Sequence, residues 1–343
     1  MKKYRVAILG ATGAVGQEFL NLIEERKFPF SELRLLASSR SAGRKIAFMG
    51  KEYTVEETTA DSFAGIDIAL FAGGSASRDF APHAVKAGTV VIDNSSAFRM
   101  DPEVPLVVPE VNPEAIKRHK GIIANPNCST IIMVLGLKPL YDLAKIRRVV
   151  VSTYQAVSGA GKEGMAELEA QVAALSSGKD PEANILPVGS LPKHYQIAFN
   201  LIPQIDVFMD NLYTKEEMKM IDETKKIMED DSLRITATTV RVPVYRSHAE
   251  SVNVEFAEEV SLDAARAAIA AFPGVVLRDN PSAQEYPMPL FTSGKTEVEV
   301  GRLRRDESAD HALNFWICGD QIRKGAALNA LQIAEYMIAH ELV

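Results

Sequence analysis

The sequence predicts an α/β protein in two parts: a Rossmann-type domain with a doubly wound parallel sheet, then an α+β domain. Three observations predict this. A glycine-spaced turn follows the first apolar strand and opens a helix, and short apolar strands then alternate with helical stretches. From Cys128 onward, long β-rich runs replace that alternation.

The elements follow in order. Tyr4 to Leu9 is a short apolar strand, Gly10-Ala-Thr-Gly-Ala-Val-Gly16 a turn, and Gln17 to Arg26 an amphipathic helix. Leu33 to Ala37, Asp67 to Phe71 and Thr89 to Ile92 read as further strands, the last two separated by a helix over Ala76 to Ala87. Ile131 to Leu137 reads as a buried helix, and Arg147 to Tyr154 as a long strand. The dinucleotide-binding domain is therefore expected over 1–127, completed by a C-terminal helix within 321–343, and the second domain over 128–320. That second part mixes helices (about Lys162 to Ser176, Thr214 to Met228 and Leu262 to Ala271) with strands (Leu233 to Val240, Ser251 to Phe256, Thr296 to Val300 and Ala312 to Ile317). One sheet with helices on one face is expected.

With 343 residues, 47% hydrophobic and 24% charged, the chain can bury two cores. A net charge of −7 argues against a nucleic-acid surface, although a few placed arginines can still bind a small anion. No apolar run approaches the ~20 residues of a membrane-spanning helix. The start imitates a leader only faintly, because Arg5 interrupts it. Neither Cys nor His occurs at metal-ligand spacing, and no metal is expected. Two cysteines far apart suggest a reducing, cytoplasmic setting with a catalytic or packed thiol, not a disulfide.

Gly10, Gly13 and Gly16 vary the usual G-x-G-x-x-G spacing. Standing between a strand and a helix, they still meet its demands: close backbone approach to a pyrophosphate and a helix N-terminus aimed at its charge. The bland alternative is a tight turn. The second strand runs into Leu36-Ala-Ser-Ser-Arg-Ser-Ala-Gly-Arg-Lys45, with no acidic residue to hold a ribose 2′-hydroxyl. Ser38, Ser39, Arg40, Ser41, Arg44 and Lys45 offer donors and positive charge instead. NADP(H) is the cofactor this suits, the alternative being a solvated basic loop.

Cys128, in Asn125-Pro-Asn-Cys-Ser-Thr130, stands directly ahead of the buried helix, where unpaired N–H groups favour a thiolate. It reads as a nucleophile, against the alternative of a small packed hydrophobe. A thiolate beside a nicotinamide points to an acyl group carried on sulfur while hydride moves. That chemistry needs an anion clamp and a proton carrier. Asn94-Ser-Ser-Ala-Phe-Arg99 and Val240-Arg-Val-Pro-Val-Tyr-Arg-Ser-His248 offer both. Cys318, in an apolar strand, reads as a packed, inert thiol.

Over essentially its full length the chain resembles the aspartate-β-semialdehyde dehydrogenases. The matching motifs are Gly10 to Gly16, Asp93 to Arg99, Asn125 to Thr130, Tyr154-Gln-Ala-Val-Ser-Gly-Ala-Gly161, Glu216-Glu-Met-Lys219, Arg241-Val-Pro-Val-x-x-x-His248 and Arg323-Lys-Gly-Ala-Ala-Leu-Asn329. The resemblance implies NADPH-dependent, reversible reduction of L-4-aspartyl phosphate to L-aspartate 4-semialdehyde and phosphate. That reaction feeds lysine (through diaminopimelate), threonine and methionine synthesis. It also implies a homodimer or homotetramer, with the α+β part, 128–320, as the catalytic, substrate-binding and dimerisation domain.

By the same resemblance, Cys128 would carry the thioacyl group, Gln155 would orient the substrate, and His248 would move protons, accepting one from the thiol or hemithioacetal according to direction. Arg99 and Lys219 would hold phosphate, Arg241 the α-carboxylate and Glu216 the α-amino group, with Asn127 in the substrate site. Gly10, Thr12, Gly13, Ala14, Val15, Gly16, Ser38, Arg40, Ser41, Ser158, Gly159 and Gln321 would contact the cofactor. Gln321 departs from the Asn frequent there. Each residue also has a structural alternative; Glu216 and Lys219, for instance, could be an exposed i, i+3 pair. N-acetyl-γ-glutamyl-phosphate reductase is the nearest rival enzyme, disfavoured by Glu216, which suits a free ammonium group. A non-catalytic NADP-binding sensor is the alternative from another class.

Overall fold

The computed structural model describes residues 2–343 and divides the chain into two compact units, one of residues 1–127 with 325–343 and the other of residues 128–324.

In the first unit, β1 (Tyr4–Leu9), α1 (Ala14–Glu25), β2 (Phe30–Ala37), β3 (Lys45–Phe48), β4 (Lys51–Glu57), β5 (Ile68–Phe71), α2 (Ala76–Lys86), β6 (Val90–Asp93) and β7 (Ile122–Ala124) form a seven-stranded sheet. Its order is β3-β4-β2-β1-β5-β6-β7, parallel throughout except for the β3–β4 hairpin. Parallel strands must be covered on both faces, which is why they read as continuous apolar runs. Val6, Ile8, Leu33 and Leu35 pack against Phe19, Leu22 and Ile23 of α1 and against Leu331 and Met337 near the C-terminus. Ala7, Leu9, Leu36 and Phe71 face Phe63, Ala81 and Ala84 on the other side.

The structure differs from the sequence reading in four places within this unit and the C-terminal segment. Helix α1 begins at Ala14, so the end of the glycine turn is already helical. With the exposed Arg44 just ahead of it, Lys45 leaves the basic loop and starts β3. The mostly polar hairpin it opens turns at Met49 and Gly50, both at positive φ. Strand β7 was too short to read. The expected helix from 321 to 340 is a π-helical segment, Arg323–Leu328, followed by α8 (Asn329–Ala339).

The second unit contains α3 (Cys128–Tyr141), β8 (Ile146–Gln155), α4 (Gly161–Ser176), α5 (Lys215–Met228), β9 (Arg234–Arg241), β10 (His248–Phe256), α6 (Leu262–Ala271), β11 (Val275–Leu277), α7 (Pro289–Thr292), β12 (Val298–Arg305) and β13 (Ala312–Gly319). Its six-stranded mixed sheet runs β11-β12-β13-β10-β8-β9. Helix α3 is buried on every side from Ser129 to Leu137, as an all-round apolar helix must be. Gly136 lets it approach the sheet: a Cβ there would stand 2.9 Å from Ile317 Cδ1. On the opposite face Tyr154 packs on Trp316, with ring centroids 5.3 Å apart, and Trp316 borders a cleft of about 300 Å³ lined also by Ser251, Tyr286, Met288, Arg302 and Arg304.

Asn329, at the start of α8 and fully buried, donates to Val107 O at 2.9 Å and to Asn125 Oδ1 at 2.7 Å. Replacing it with Ala leaves a buried carbonyl and a buried amide without that donor. We expect Asn329→Ala to cost about 1–3 kcal/mol, read as a lowered midpoint in urea unfolding with an unchanged slope.

Candidate active site

In the first unit the chain passes from β1 through a turn that only glycine can make. Gly10 lies at φ +83°, and a Cβ there would stand 2.6 Å from Ala72 O; one on Gly16 would stand 2.2 Å from Gly10 O. Gly13 caps α1 without a side-chain partner, and the first turn of the helix has no acidic residue, so no side-chain carboxylate competes with an anion for its N–H groups. Leu9, Gly10, Thr12, Gly13, Ser38, Ser39, Glu57, Thr58 and Gly73 line a cleft of about 490 Å³ beside this turn. Arg40 and Ser41 lie in a single 3-10 turn next to Ser38, with Arg40 exposed. Ala14 and Val15 are the first residues of α1. These residues fit a dinucleotide: a backbone cradle free of Cβ atoms, a helix N-terminus for pyrophosphate, and hydroxyls with a free guanidinium at the end of β2 for a ribose phosphate.

The same unit holds Arg99 and Asn127, both buried. The Arg99 guanidinium donates through Nε to Asn125 O at 3.0 Å and through Nη2 to Asn94 O at 2.8 Å, so its plane is set by backbone carbonyls. Sequence reasoning missed the β5–α2 turn. Gly74, Ser75, Arg78 and Asp79 line a second cleft there with Ser95, Ser96 and Ala97. The signal was available as a second glycine turn between a strand and a helix.

In the second unit Cys128 is the first residue of α3 and half-exposed, while the helix behind it is buried. Gln155 ends β8, Arg241 ends β9 opposite it in register, and His248 starts β10. Glu216 lies in the first turn of α5, which Thr214 caps by a reciprocal capping box with Glu217. Three strand ends and one helix start therefore deliver the cluster, and all four side chains are buried.

Gln155 Nε2 donates to Glu216 Oε1 at 3.2 Å, while Gln155 Oε1 accepts from Thr153 Oγ1 at 3.0 Å. Arg241 Nη1 donates to Ala156 O at 2.8 Å. Burial pulls the Arg241 pKa down, whereas the charges of Glu216 and Cys128 raise it. A guanidinium stays protonated regardless, so positive charge is fixed beside the sulfur. Lys219 Nζ bridges Asp206 Oδ2 at 2.9 Å and Glu216 Oε2 at 3.2 Å. Burial works against its charge, but the two carboxylates prevail and its pKa is raised. Glu216 and Lys219 are thus not the exposed surface pair that spacing alone allows.

His248 is fully buried, and its pKa is driven well below the ordinary value by burial and by Arg241. Its Nδ1 accepts from Ala156 N at 3.0 Å, which assigns the proton of the neutral ring to Nε2. The Gln155 amide nitrogen lies 3.4 Å from that Nε2; with a proton on each atom this is a contact and not a hydrogen bond. Gly159 borders the same edge of the ring: a Cβ on it would meet Arg241 Nη1 at 2.7 Å and His248 Nε2 at 3.4 Å. Ser158 and Gln321 bond to each other, and Gln321 Oε1 accepts from Ser247 N at 2.8 Å, so both ends of this amide are on protein partners. Cys318 is buried, and burial pushes its thiol far up. Among the described residues no group of His, Cys, Asp or Glu could hold a metal.

Glu250, two residues along β10 from His248, was not singled out from sequence. It is fully buried, and neither carboxyl oxygen has a hydrogen-bond partner among the described residues. Burial first, and then the charge of Glu216, push its pKa well up, so the folded state keeps it neutral. An acid whose pKa is raised on folding costs stability once the pH exceeds its unfolded value of about 4.3, because the unfolded chain ionises more easily. Glu250→Gln is therefore expected to raise the unfolding free energy at pH 7–8 and to lose that advantage below about pH 4, as read by urea titrations at both pH values.

The comparisons with known proteins agree across both units. Residues 5–119 match the family described as "Semialdehyde dehydrogenase, NAD binding domain", and residues 137–324 match "Semialdehyde dehydrogenase, dimerisation domain". The aspartate-semialdehyde dehydrogenase of Aquifex aeolicus is 55% identical over 99% of each chain, and that of Bacillus subtilis 52% identical over 98% of each. The crystal structure of aspartate semialdehyde dehydrogenase II from Vibrio cholerae has 47% identity and a TM-score of 0.92, over 98% of this chain and 99% of that one; the same enzyme complexed with ASA gives the same score. The chain belongs to the aspartate-semialdehyde dehydrogenase family.

Proposed function

We propose that the chain reduces L-4-aspartyl phosphate to L-aspartate 4-semialdehyde and phosphate with NADPH, reversibly, within aspartate-derived amino-acid synthesis. The observation that carries this is the company of Cys128. A half-exposed sulfur at a helix start lies within the field of the buried Arg241 guanidinium, beside a carboxylate, Glu216, that can take an ammonium group. A substrate blocked at its amine would bring no positive charge to that carboxylate, which disfavours N-acetyl-γ-glutamyl phosphate. A cofactor sensor would not need the cluster at all.

The thiolate adds to the acyl carbon as the C–O bond to phosphate breaks, leaving a thioester on Cys128. Arg99 and Lys219 are suited to hold the phosphate, Arg241 the α-carboxylate and Glu216 the α-ammonium, with Asn127 beside the nucleophile in sequence. NADPH, when bound, supplies the hydride. His248 presents Nε2–H as a donor to the oxygen that becomes negative at the thioester carbon. This differs from a ring that takes the thiol proton. Its Nδ1 lone pair is engaged by Ala156 N, and Arg241 opposes an imidazolium. Collapse of that oxyanion breaks the C–S bond and returns the thiolate, so hydride addition and release need no proton from the ring. The proton consumed overall goes to phosphate.

Gly10, Thr12, Gly13, Ala14, Val15, Gly16, Ser38, Arg40 and Ser41 are suited to the dinucleotide, and Ser158 and Gly159 to its nicotinamide end. The chain oligomerises through its dimerisation domain, and a homodimer, or a pair of them, is the state we infer. Among the described residues no helix is long and apolar enough to cross a membrane; a free thiol nucleophile accords with a cytoplasmic setting.

Cys128→Ala is expected to lower NADPH formation from aspartate semialdehyde, phosphate and NADP by more than about 1,000-fold, while leaving NADPH affinity within about twofold by fluorescence titration. Turnover in Cys128→Ala within about 100-fold of wild type, or equal wild-type turnover with N-acetylglutamate semialdehyde, would overturn the reading.

A further inference from the structure

Ser247 precedes His248 and lies at φ +76°, in the left-handed region where a residue bearing a Cβ is strained. It is fully buried and held from two other segments. Its N–H donates to Gln321 Oε1 at 2.8 Å, and its Oγ lies 2.8 Å from Thr292 Oγ1. Thr292 Oγ1 donates in turn to Met288 O at 3.3 Å, so the Ser247 hydroxyl is the donor between the two. The residue ahead of the turn is pinned as well: Arg246 Nε donates to Asp320 Oδ2 at 2.5 Å, and Arg246 O accepts from Ser293 Oγ at 3.1 Å. A strained backbone persists only where its surroundings over-determine it.

We propose that Ser247, Thr292 and Gln321 form a clamp that holds this left-handed turn and so fixes where His248 Nε2 points. They are positioning residues, acting through the imidazole. The direction in which the chain enters β10 depends on φ at Ser247. Were that angle to relax to negative values, the ring would lose its bond to Ala156 N, and with it the assignment of the proton to Nε2. Gln321 joins the turn to Ser158 as well, next to the Gly159 backbone that leaves room for the ring edge. The clamp thus ties the donor to the segment suited to the nicotinamide. The inference rests on the role given to His248 above.

Thr292→Val removes the hydroxyl with little change of shape, and Thr292→Ser keeps it. We expect T292V to lower kcat for NADPH formation by about 10-fold, with KM for phosphate and semialdehyde within about twofold, and T292S to stay near wild type. Adding Ser247→Gly to T292V restores kcat to within about threefold of wild type, because glycine holds a positive φ without a clamp. The ¹⁵N resonances of His248 in histidine-labelled protein report the ring without turnover: T292V moves them and the second change returns them. Should the wild-type protein not turn over this substrate, the functional reading fails, and those resonances alone decide the clamp. Unmoved resonances with wild-type kcat in T292V overturn it, as does failure of glycine to restore either. Should T292V not fold, the double variant is expected to fold, and its failure to do so also overturns the clamp.

Discussion

The second unit depends on one electrostatic arrangement: a nearly fully buried guanidinium, Arg241, whose charge is sustained by Glu216 and by the sulfur of Cys128. Taking such a charge out of water is costly, and it persists only with fixed partners. Those partners come from different elements, so α3, α5 and the end of β8 must be placed correctly around β9 for the charge to be satisfied. The geometry of this cluster and folding specificity are thereby one constraint. Burial first and then the charge of Arg241 hold the His248 pKa well down, while Glu216 and Asp206 outweigh burial and raise that of Lys219.

The polar cluster is surrounded by a second ring of groups that do no chemistry. Thr153 orients Gln155, the Thr214–Glu217 capping box fixes the start of α5, and Glu217 also accepts from Thr239 N at 2.9 Å. Each satisfies a buried donor or acceptor and removes a rotamer from a residue that must not move. Glu250 is the exception, a buried acid that the fold keeps neutral at some expense of stability.

The parallel sheet of the first unit was legible because strands buried on both faces have to be apolar throughout, and because Gly10 and Gly16 occupy positions where a Cβ would collide with backbone. The β3–β4 hairpin was not, since its residues are largely polar and its pattern weak. Cys128, Gln155, Arg241, His248 and Glu216 could be picked out by residue type and motif, and the structure places them on elements of one unit. Their partners could not be found in that way. Ser247 and Thr292 are ordinary hydroxyl residues whose relation is visible only once 45 positions of chain are folded between them. The employment of Gln321 was equally hidden, because a sequence shows an amide but not which backbone N–H it answers.

The account stands on Cys128 carrying the acyl group. Incubating the protein with aspartate semialdehyde and NADP in the absence of phosphate, quenching in acid and mapping the peptides by mass spectrometry tests this directly. An aspartyl thioester on the Cys128 peptide, discharged when phosphate is added before the quench, is the predicted result. An unmodified Cys128 while NADP is reduced, or an acyl group found on Cys318, would contradict it.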